Sequence, residues 1–225
     1  MTQKIVDLSH TLYDGLITYA GLPAPKIDDH MSREESRAHY GEGTQFQIGK
    51  IEMVANTGTY VDVPSHRYED GKDLSMFELA KLVHLAAIRI DVRDSSQRSI
   101  DADRIPNSQL KGSAVLIWTD WSRHWATDQY FEDHPYLTKK AARYLVDQGV
   151  SLVGIDSLNI DSTQDPARPV HSLLLKHNIP IVEHLTNLDQ VPATQFEFNA
   201  APVKVENMGS FPVRAYARWD SAGEA

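Results

Sequence analysis

The sequence contains no cysteine, and this absence narrows the chemistry that is open to the protein. Disulfide bonds, thiolate metal sites and a cysteine nucleophile are all excluded. Any metal ion that the chain binds must therefore be held by histidine, aspartate or glutamate side chains.

Long apolar runs and basic clusters are also missing. No window approaches the roughly 18 uncharged apolar residues that a membrane-spanning helix needs, and Met1 to Asp7 lack the apolar core of a signal peptide. The basic residues are scattered and the formal net charge is −9, so the chain repels phosphate backbones and anionic membrane surfaces. We therefore expect a cytoplasmic protein with no nucleic-acid partner and no membrane partner.

The remaining composition is that of a globular protein. The chain has 225 residues, of which 41% are hydrophobic and 24% are charged, and a chain of this length can bury a large core. We find no internal repeat and no low-complexity segment. The sequence therefore predicts a single domain that spans residues 1–225.

Apolar patterns predict a mixed α/β domain, strand-rich in its first half and alternating strand, helix and strand in its second. Continuous apolar runs indicate buried strands at 114–118 and 150–155. Thr138 is a suitable N-cap for a helix that runs through Gln148 and is stopped by Gly149. Residues 28–43 are expected to form a mobile loop or a short helix beside a pocket. Further strands are predicted at 5–12, 46–54, 85–92, 179–182, 196–205 and 213–219, and further helices at 74–82 and 170–176.

The even-numbered positions from Asn56 to His66 would share one face of an extended segment. Asn56, Tyr60, Asp62 and His66 on that face are polar and could reach a ligand, whereas Pro64 must break the extension. The pattern indicates a strand end that delivers an aspartate and a histidine into a cleft. From the pattern alone, a turn cap for Asp62 and a surface position for His66 are equally compatible.

Two further features point to a site. Glu183 follows the strand predicted at 179–182, and His171 opens a predicted helix; ligands of α/β sheets bind at such strand ends. A buried carboxylate there needs a partner, which could be a metal ion, a hydrogen-bond network or a basic side chain of the core. Trp118 ends the strand predicted at 114–118 and Trp121 follows it. Both could line a pocket for a flat substrate, although such a cluster is at least as often core or subunit interface.

Taken in order along nearly the whole chain, these motifs resemble the cyclase family, whose best-known members are bacterial kynurenine formamidases. The family signature H-x-G-T-H-x-D-x-P-x-H reads here as N-T-G-T-Y-V-D-V-P-S-H over residues 56–66. Asn56 and Tyr60 replace the first two histidines of the signature. The matching positions are Gly58, Thr59, Asp62, Pro64 and His66.

The resemblance implies a cyclase-like fold, with a mixed β-sheet or barrel-like core and flanking helices. In the family, the first two signature histidines and the aspartate bind a divalent metal, the last histidine is the general acid/base, and positions matched by His171 and Glu183 hold a second metal or orient the site. Kynurenine formamidase activity depends in the family on the two histidines that this chain lacks. Family members are commonly homodimers or larger, so a homodimer or homotetramer is expected.

Asparagine and tyrosine are poor zinc ligands compared with imidazole. The set that remains is Asp62, His171 and Glu183, which we expect to hold one zinc or manganese ion. The alternative is a site without metal, in which Asn56 and Tyr60 donate hydrogen bonds to a substrate oxygen.

The function implied is hydrolysis of an amide, cyclic imide or lactone bond in a small, aromatic molecule. His66 would move the protons, with Asp62 beside it, and Asn56 and Tyr60 would stabilise the oxyanion. Trp118 and Trp121 would pack against the substrate, as substrate-binding residues. A metal-independent lyase or cyclase and a non-catalytic small-molecule binding protein remain as alternatives.

Overall fold

The computed structural model describes residues 2–94, 97–106 and 110–221. Within these ranges the strands are β1 (Thr2–Asp7), β2 (Lys26–Met31), β3 (Ile48–Glu52), β4 (Tyr60–Asp62), β5 (Leu85–Asp91), β6 (Ser99–Ile100), β7 (Ala114–Trp118), β8 (Tyr136–Leu137), β9 (Leu152–Ile155), β10 (Ile181–Glu183), β11 (Phe196–Asn199), β12 (Ser210–Pro212) and β13 (Tyr216–Ser221). The α-helices are α1 (Arg33–Ser36), α2 (Lys139–Asp147) and α3 (Pro169–Lys176). Across these residues, no helix has the length and apolar character needed to cross a membrane.

One mixed sheet organises the described residues. Its strand order is β1-β13-β11-β5-β7-β9-β10-β4-β12, and it curls into a half-barrel with few helices. The four central strands, β5, β7, β9 and β10, run parallel to one another. The flanking strands pair antiparallel on both sides. The predicted class, an α/β fold with a mixed, barrel-like sheet of the cyclase type, is confirmed.

Alternating side chains of β7 build both sides of the core. Val115 and Ile117 belong to one apolar cluster, which includes residues of α2 and α3 such as Leu145. Leu116 and Trp118 point to the opposite side, into a second cluster that the flanking strands complete. Because both faces are covered, the strand is apolar throughout, as the continuous run predicts.

The helix predicted after Thr138 is also confirmed. The Thr138 side chain accepts a hydrogen bond from the backbone N–H of Ala141, and α2 then runs to Asp147. Gly149 follows in the left-handed region with φ of +69°, which ends the helix at low steric cost.

Several predicted boundaries differ from the structure. Residues 28–43 contain the short helix α1, one of the two predicted alternatives, but they also include part of β2, which pairs with β3 as a two-stranded hairpin. The strand predicted at 196–205 ends at Asn199, shortly before Pro202, which cannot donate a ladder hydrogen bond. The helix predicted at 74–82 is reduced to one 3-10 turn, Leu79–Lys81.

The two ends of the chain also differ from the prediction. The first strand ends at Asp7, where its pairing with β13 ends. Ser9 then forms an isolated bridge with Leu185. The strand predicted at 213–219 starts only at Tyr216 in the structure, after the chain has crossed from one edge of the sheet towards the other. Ser210 to Pro212 pair with β4 on one edge of the sheet, whereas β13 pairs with β1 and β11 near the other.

Candidate active site

Strand β4 places Tyr60 and Asp62 between two partner strands. Its register with β10 sets Tyr60 opposite Glu183, and its register with β12 sets Asp62 opposite Ser210. Tyr60 and Asp62 are two residues apart, so both side chains project from the same face of the strand. All three residues of β4 are buried, and the strand therefore presents two fixed polar groups to one side of the sheet.

His66 returns to Asp62 through the 3-10 turn Pro64–His66. Ser210 donates a short hydrogen bond to Oδ1 of Asp62, and the Ser210 Oγ atom lies 2.8 Å from Nδ1 of His66. A hydroxyl carries one proton, and here it is directed to the carboxylate. Nδ1 of His66 is therefore the protonated nitrogen and donates to Ser210, which leaves the lone pair of the imidazole on Nε2.

Asp161 fixes the second histidine of the site. Its Oδ1 accepts the backbone N–H of Val170 at 2.8 Å, and its Oδ2 accepts the backbone N–H of His171 at 2.9 Å. The same Oδ2 lies 2.7 Å from Nδ1 of His171. One carboxylate thus caps the start of α3 and sets the orientation of the imidazole.

The Nε2 atom of His171 faces two buried carboxylates. It lies 3.4 Å from Oδ2 of Asp62 and 3.5 Å from Oε1 of Glu183. Burial lowers the pKa of His171, but the carboxylates of Glu183, Asp161 and Asp62 outweigh burial and raise the pKa to about 10. The surroundings of Nε2 therefore favour a positive charge at this point.

Glu183 is satisfied by hydrogen bonds from the protein. Its Oε2 accepts a short hydrogen bond from the Tyr60 hydroxyl, and its Oε1 accepts the backbone N–H of Ile160 at 2.6 Å. Burial raises the pKa of Glu183 to about 7, against the lowering effect of His171. Burial, followed by the charges of Glu183 and Asp62, raises the pKa of Tyr60 well above its ordinary value. Tyr60 therefore remains a protonated phenol that donates to Glu183.

The metal-compatible group differs from the predicted set. Among the described residues, Asp62, His66 and His171 each offer one ligand atom, and these atoms lie within 4.8 Å of one another. The structure brings His66 into this group and leaves out Glu183, whose oxygens are engaged by Tyr60 and Ile160. The structure thus keeps Asp62 and His171 of the predicted set together.

The residues of this group fit a divalent metal ion. Oδ2 of Asp62 is buried, lies 3.4 Å from Nε2 of His171 and accepts no hydrogen bond from any described residue. Such an oxygen needs a cation, which the imidazolium of His171 or a bound metal ion would supply. Because Asp161 engages Nδ1 of His171, the Nε2 atom is the one presented to the site, an arrangement typical of metal-binding histidines. Together with His66, two nitrogen donors and one oxygen donor are available.

A cleft of about 210 Å³ opens onto these groups. Asn56, Tyr60, His66 and His171 line part of it. Tyr19, Leu22, Arg67, Asn159 and Arg168 line the rest. Four of the predicted site residues therefore meet at one cleft, while Asp62 and Glu183 are fully buried behind it.

Trp118 and Trp121 are not among the residues that line this cleft. Trp118 is buried in the core, with the guanidinium carbons of Arg89 and Arg93 stacked 4.2 and 3.5 Å from its ring centroid. The Trp121 indole N–H donates to the carbonyl oxygen of Tyr130 at 3.1 Å. The structure therefore gives both tryptophans a packing role and does not bring them to the predicted substrate position.

Sequence reasoning missed four residues that shape the site: Ser210, Asp161, Asn159 and Arg168. Ser210 lies 144 residues from its partner His66, and no local pattern connects the two. Asp161 and Asn159 lie in the loop after β9. The rule that ligands bind beyond the carboxyl ends of parallel strands could have drawn attention to that loop.

Known proteins similar to this chain are enzymes. Residues 6–162 match the family model Cyclase, described as "Putative cyclase". A kynurenine formamidase of Bacillus cereus (strain ATCC 14579) is 30% identical over 217 residues, which cover 96% of this chain and 98% of that protein. A kynurenine formamidase of Bacillus cytotoxicus is 31% identical over 213 residues, covering 95% of this chain and 96% of that protein.

Solved structures share the fold. A potential metal-dependent hydrolase with cyclase activity superposes with a TM-score of 0.80 at 27% identity, over 98% of this chain and 100% of that one. An isatin hydrolase bound to the product analogue thioisatinate superposes with a TM-score of 0.83, over 97% of this chain and 93% of that one. At 23% identity, the second likeness concerns the fold alone.

Proposed function

The chain belongs to the cyclase family and is an enzyme of its arylformamidase type, and we propose that it hydrolyses an amide, cyclic imide or lactone bond in a small aromatic molecule. The observation that carries the proposal is the arrangement of His66, Ser210 and Asp62. It leaves Nε2 of His66 with a lone pair at a cleft, beside a buried carboxylate oxygen that accepts no hydrogen bond from the described residues.

Asp62 and His171 would hold one divalent ion. Mixed oxygen and nitrogen donors suit zinc or manganese. When bound, such an ion polarises a carbonyl group and lowers the pKa of water. The likeness to a potential metal-dependent hydrolase supports a divalent ion in this chain.

The single free lone pair of His66, on Nε2, can serve either as a metal ligand or as a proton acceptor, but not as both at once. Its Nδ1–H is donated to Ser210, so Nε2 either binds the ion or exchanges a proton with the reactants. We assign the proton role to His66, because its side chain is 34% exposed at the cleft, whereas His171 and Asp62 are 7% and 0% exposed. His66 would accept a proton from the attacking water and return it to the leaving group.

Asn56 is the donor that best fits a developing oxyanion. The single hydroxyl proton of Tyr60 is directed to Glu183, so Tyr60 has none to offer to a substrate. The Nδ2 atom of Asn56 lies 3.5 Å from Oδ1 of Asp62, at the limit of hydrogen bonding, and the residue lines the cleft. An amide N–H of Asn56 can therefore turn to a substrate oxygen at little cost.

The reaction class is tested by isotopic oxygen. We expect the zinc- or manganese-supplied enzyme to open phthalimide or dihydrocoumarin, or to deformylate formanilide, in ¹⁸O-labelled water. Because hydrolysis takes one oxygen from the solvent, mass spectrometry should find one ¹⁸O atom in each carboxylic acid product. Turnover without label would show a reaction that uses no solvent oxygen and would replace hydrolysis by a lyase or cyclase reaction.

A metal-independent lyase or cyclase is the second candidate, and one observation favours it. The residues in place of the family histidines both contact buried carboxylates, since Asn56 approaches Asp62 and Tyr60 bonds to Glu183. These contacts supply the carboxylates with hydrogen-bond donors from the protein itself. Under this candidate, chelator-treated enzyme keeps its full rate, whereas the hydrolase loses it.

We also propose a homodimer or homotetramer that uses the β2–β3 hairpin. Every residue of β3 is exposed, including Ile48 and Ile51 at 45% and 58%. An isolated two-stranded hairpin is marginal in water, and exposed apolar residues of this kind are typical of interfaces. Light scattering should give about two or four times the 25.3 kDa of one chain, and Ile51→Asp should lower that mass. A wild-type mass of one chain at micromolar concentration would contradict the proposal.

A further inference from the structure

Two arginines at the cleft have no acidic partner. Elsewhere in the described residues, arginines such as Arg93, Arg98 and Arg214 form ion pairs with carboxylates. Arg67 and Arg168 both line the cleft, and neither has a carboxylate within ion-pair distance in the described part of the chain. Other described arginines also lack an ion pair, but two uncompensated guanidiniums at one cleft of a chain with a net charge of −9 make that cleft locally attractive to an anion.

Neutral groups hold Arg168 in place. Its Nη1 donates to the carbonyl oxygen of Ser162 at 3.0 Å and lies 3.4 Å from Oδ1 of Asn159. Its Nη2 donates to the Tyr19 hydroxyl at 3.3 Å. The backbone of Arg168 is left-handed, with φ of +45°, directly before Pro169. Such strained positions cluster at functional sites, and here the contacts fix a guanidinium without neutralising it.

Arg67 is also held by neutral groups. Its Nε donates to the Ser172 hydroxyl at 3.1 Å, and its Nη2 donates to the carbonyl oxygen of Ala167 at 3.0 Å. Ser172 follows His171 in the sequence, and Arg67 directly follows His66, the residue that we assign to proton transfer.

The negative charges of the cleft lie deep, whereas its positive charges lie near the surface. Asp62 and Glu183 are fully buried, whereas Arg168 is half-buried and Arg67 is exposed. A negatively charged group on a substrate would be repelled by the inner carboxylates and attracted by the outer guanidiniums. The neutral, reactive end of the same molecule would then point inward to His66.

From this arrangement we propose that the substrate is an aromatic molecule with a carboxylate group apart from the bond that is cleaved, and that Arg168, assisted by Arg67, binds this carboxylate. The proposal rests on the proposed hydrolase function and adds the charge of its substrate. Guanidinium groups bind carboxylates with charge-assisted hydrogen bonds in a fork geometry. The cleft volume of about 210 Å³ lies below the usual range for drug-sized ligands and suits a small substrate.

The test compares matched substrates that differ in charge. The probes are 3-formamidobenzoate, which is an anion, and its methyl ester, which is neutral, with the full chain supplied with zinc or manganese. We expect kcat/KM for the anion to exceed that for the ester by about 10-fold or more. Arg168→Gln should lower kcat/KM for the anion by about 10- to 100-fold and change that for the ester little. Arg168→Lys should retain part of the preference because it keeps the charge but loses the fork.

Arg143→Gln is the matched control, because Arg143 is exposed on α2 and does not line the cleft. It should leave both rates unchanged. A variant that merely disturbed the site would lower both rates together, so the ratio of the two substrates is the decisive readout. Equal rates for the anion and the ester, or a ratio that Arg168→Gln leaves unchanged, would overturn the carboxylate site while leaving the hydrolase function intact.

If neither formamide is hydrolysed, binding decides the question separately from the reaction. Calorimetry should then show that benzoate binds more tightly than benzamide, and that Arg168→Gln removes the difference. That result would support the carboxylate site and count against formamide hydrolysis. Equal binding of the two compounds would overturn the carboxylate site.

Discussion

Replacing His66 with alanine is expected to lower the hydrolysis of the best probe amide by about 10²- to 10⁴-fold, the usual contribution of a general acid/base. The expectation follows from the fixed tautomer, because Ser210 engages Nδ1 and leaves Nε2 to accept a proton. Steady-state rates of the purified variant, measured with zinc or manganese supplied, provide the measurement.

His177→Ala is the control for this variant, since His177 is exposed at the end of α3 and does not line the cleft. Its rate should equal that of the wild type. A His66→Ala enzyme with an unchanged rate would remove His66 from the reaction. A variant that loses the metal together with the rate would make His66 a ligand.

Gly209→Ala is expected to be strongly destabilising. A Cβ atom at this position would lie 2.1 Å from the backbone nitrogen and 2.4 Å from Cα of His66. Because the obstacle is backbone, relief requires β12 to move away from the turn that carries His66. We expect a loss of about 3 kcal/mol or more in the free energy of unfolding, and a fall in melting temperature of about 6–12 °C.

Gly41→Ala provides the matched control, because a Cβ atom there meets nothing within 4 Å. Its thermal unfolding curve should overlay that of the wild type. The Gly209→Ala protein that remains folded should also be less active, since Ser210 and His66 are both displaced. A melting temperature within a degree of the wild type would show that the close approach of β12 to His66 is not needed.

Much of the fold is predictable because its central strands are apolar on both faces. β7 follows the predicted range of 114–118, and α2 follows its Thr138 cap and Gly149 stop. Prediction fails where a strand pairs with a distant part of the chain or carries no pattern of buried residues. β3 lies within the strand predicted at 46–54, but its partner β2 is not predicted. Nearly every residue of β2 is exposed, so no alternation of buried positions marks it.

In the candidate site, too, contacts between residues close in sequence are predictable and contacts that depend on strand register are not. Tyr60, Asp62 and His66 lie within one short motif, and their meeting is predictable from alternation along β4 and the turn at Pro64. The role of Glu183 is not predictable in this way, because its Tyr60 contact depends on the register of β4 against β10.

The aromatic residues and the arginines show what a pattern alone cannot decide. Trp118 and Trp121 lie at and just after the end of β7, as a substrate platform would. Arg89 and Arg93 stack on Trp118, and the Tyr130 carbonyl accepts the Trp121 indole N–H. Arg168 carries no motif of its own. Its position at the cleft arises from the loop between β9 and α3, whose path depends on the tertiary structure.

The proposed reaction depends most on an ion held by Asp62 and His171, with His66 left to move protons. Elemental analysis of wild type, Asp62→Ala and His66→Ala, after equal exposure to zinc and manganese and removal of excess ions, tests it most directly. We predict about one ion per chain in the wild type, retention in His66→Ala and loss in Asp62→Ala. A wild-type protein that binds neither ion after this treatment would contradict the metal-dependent account.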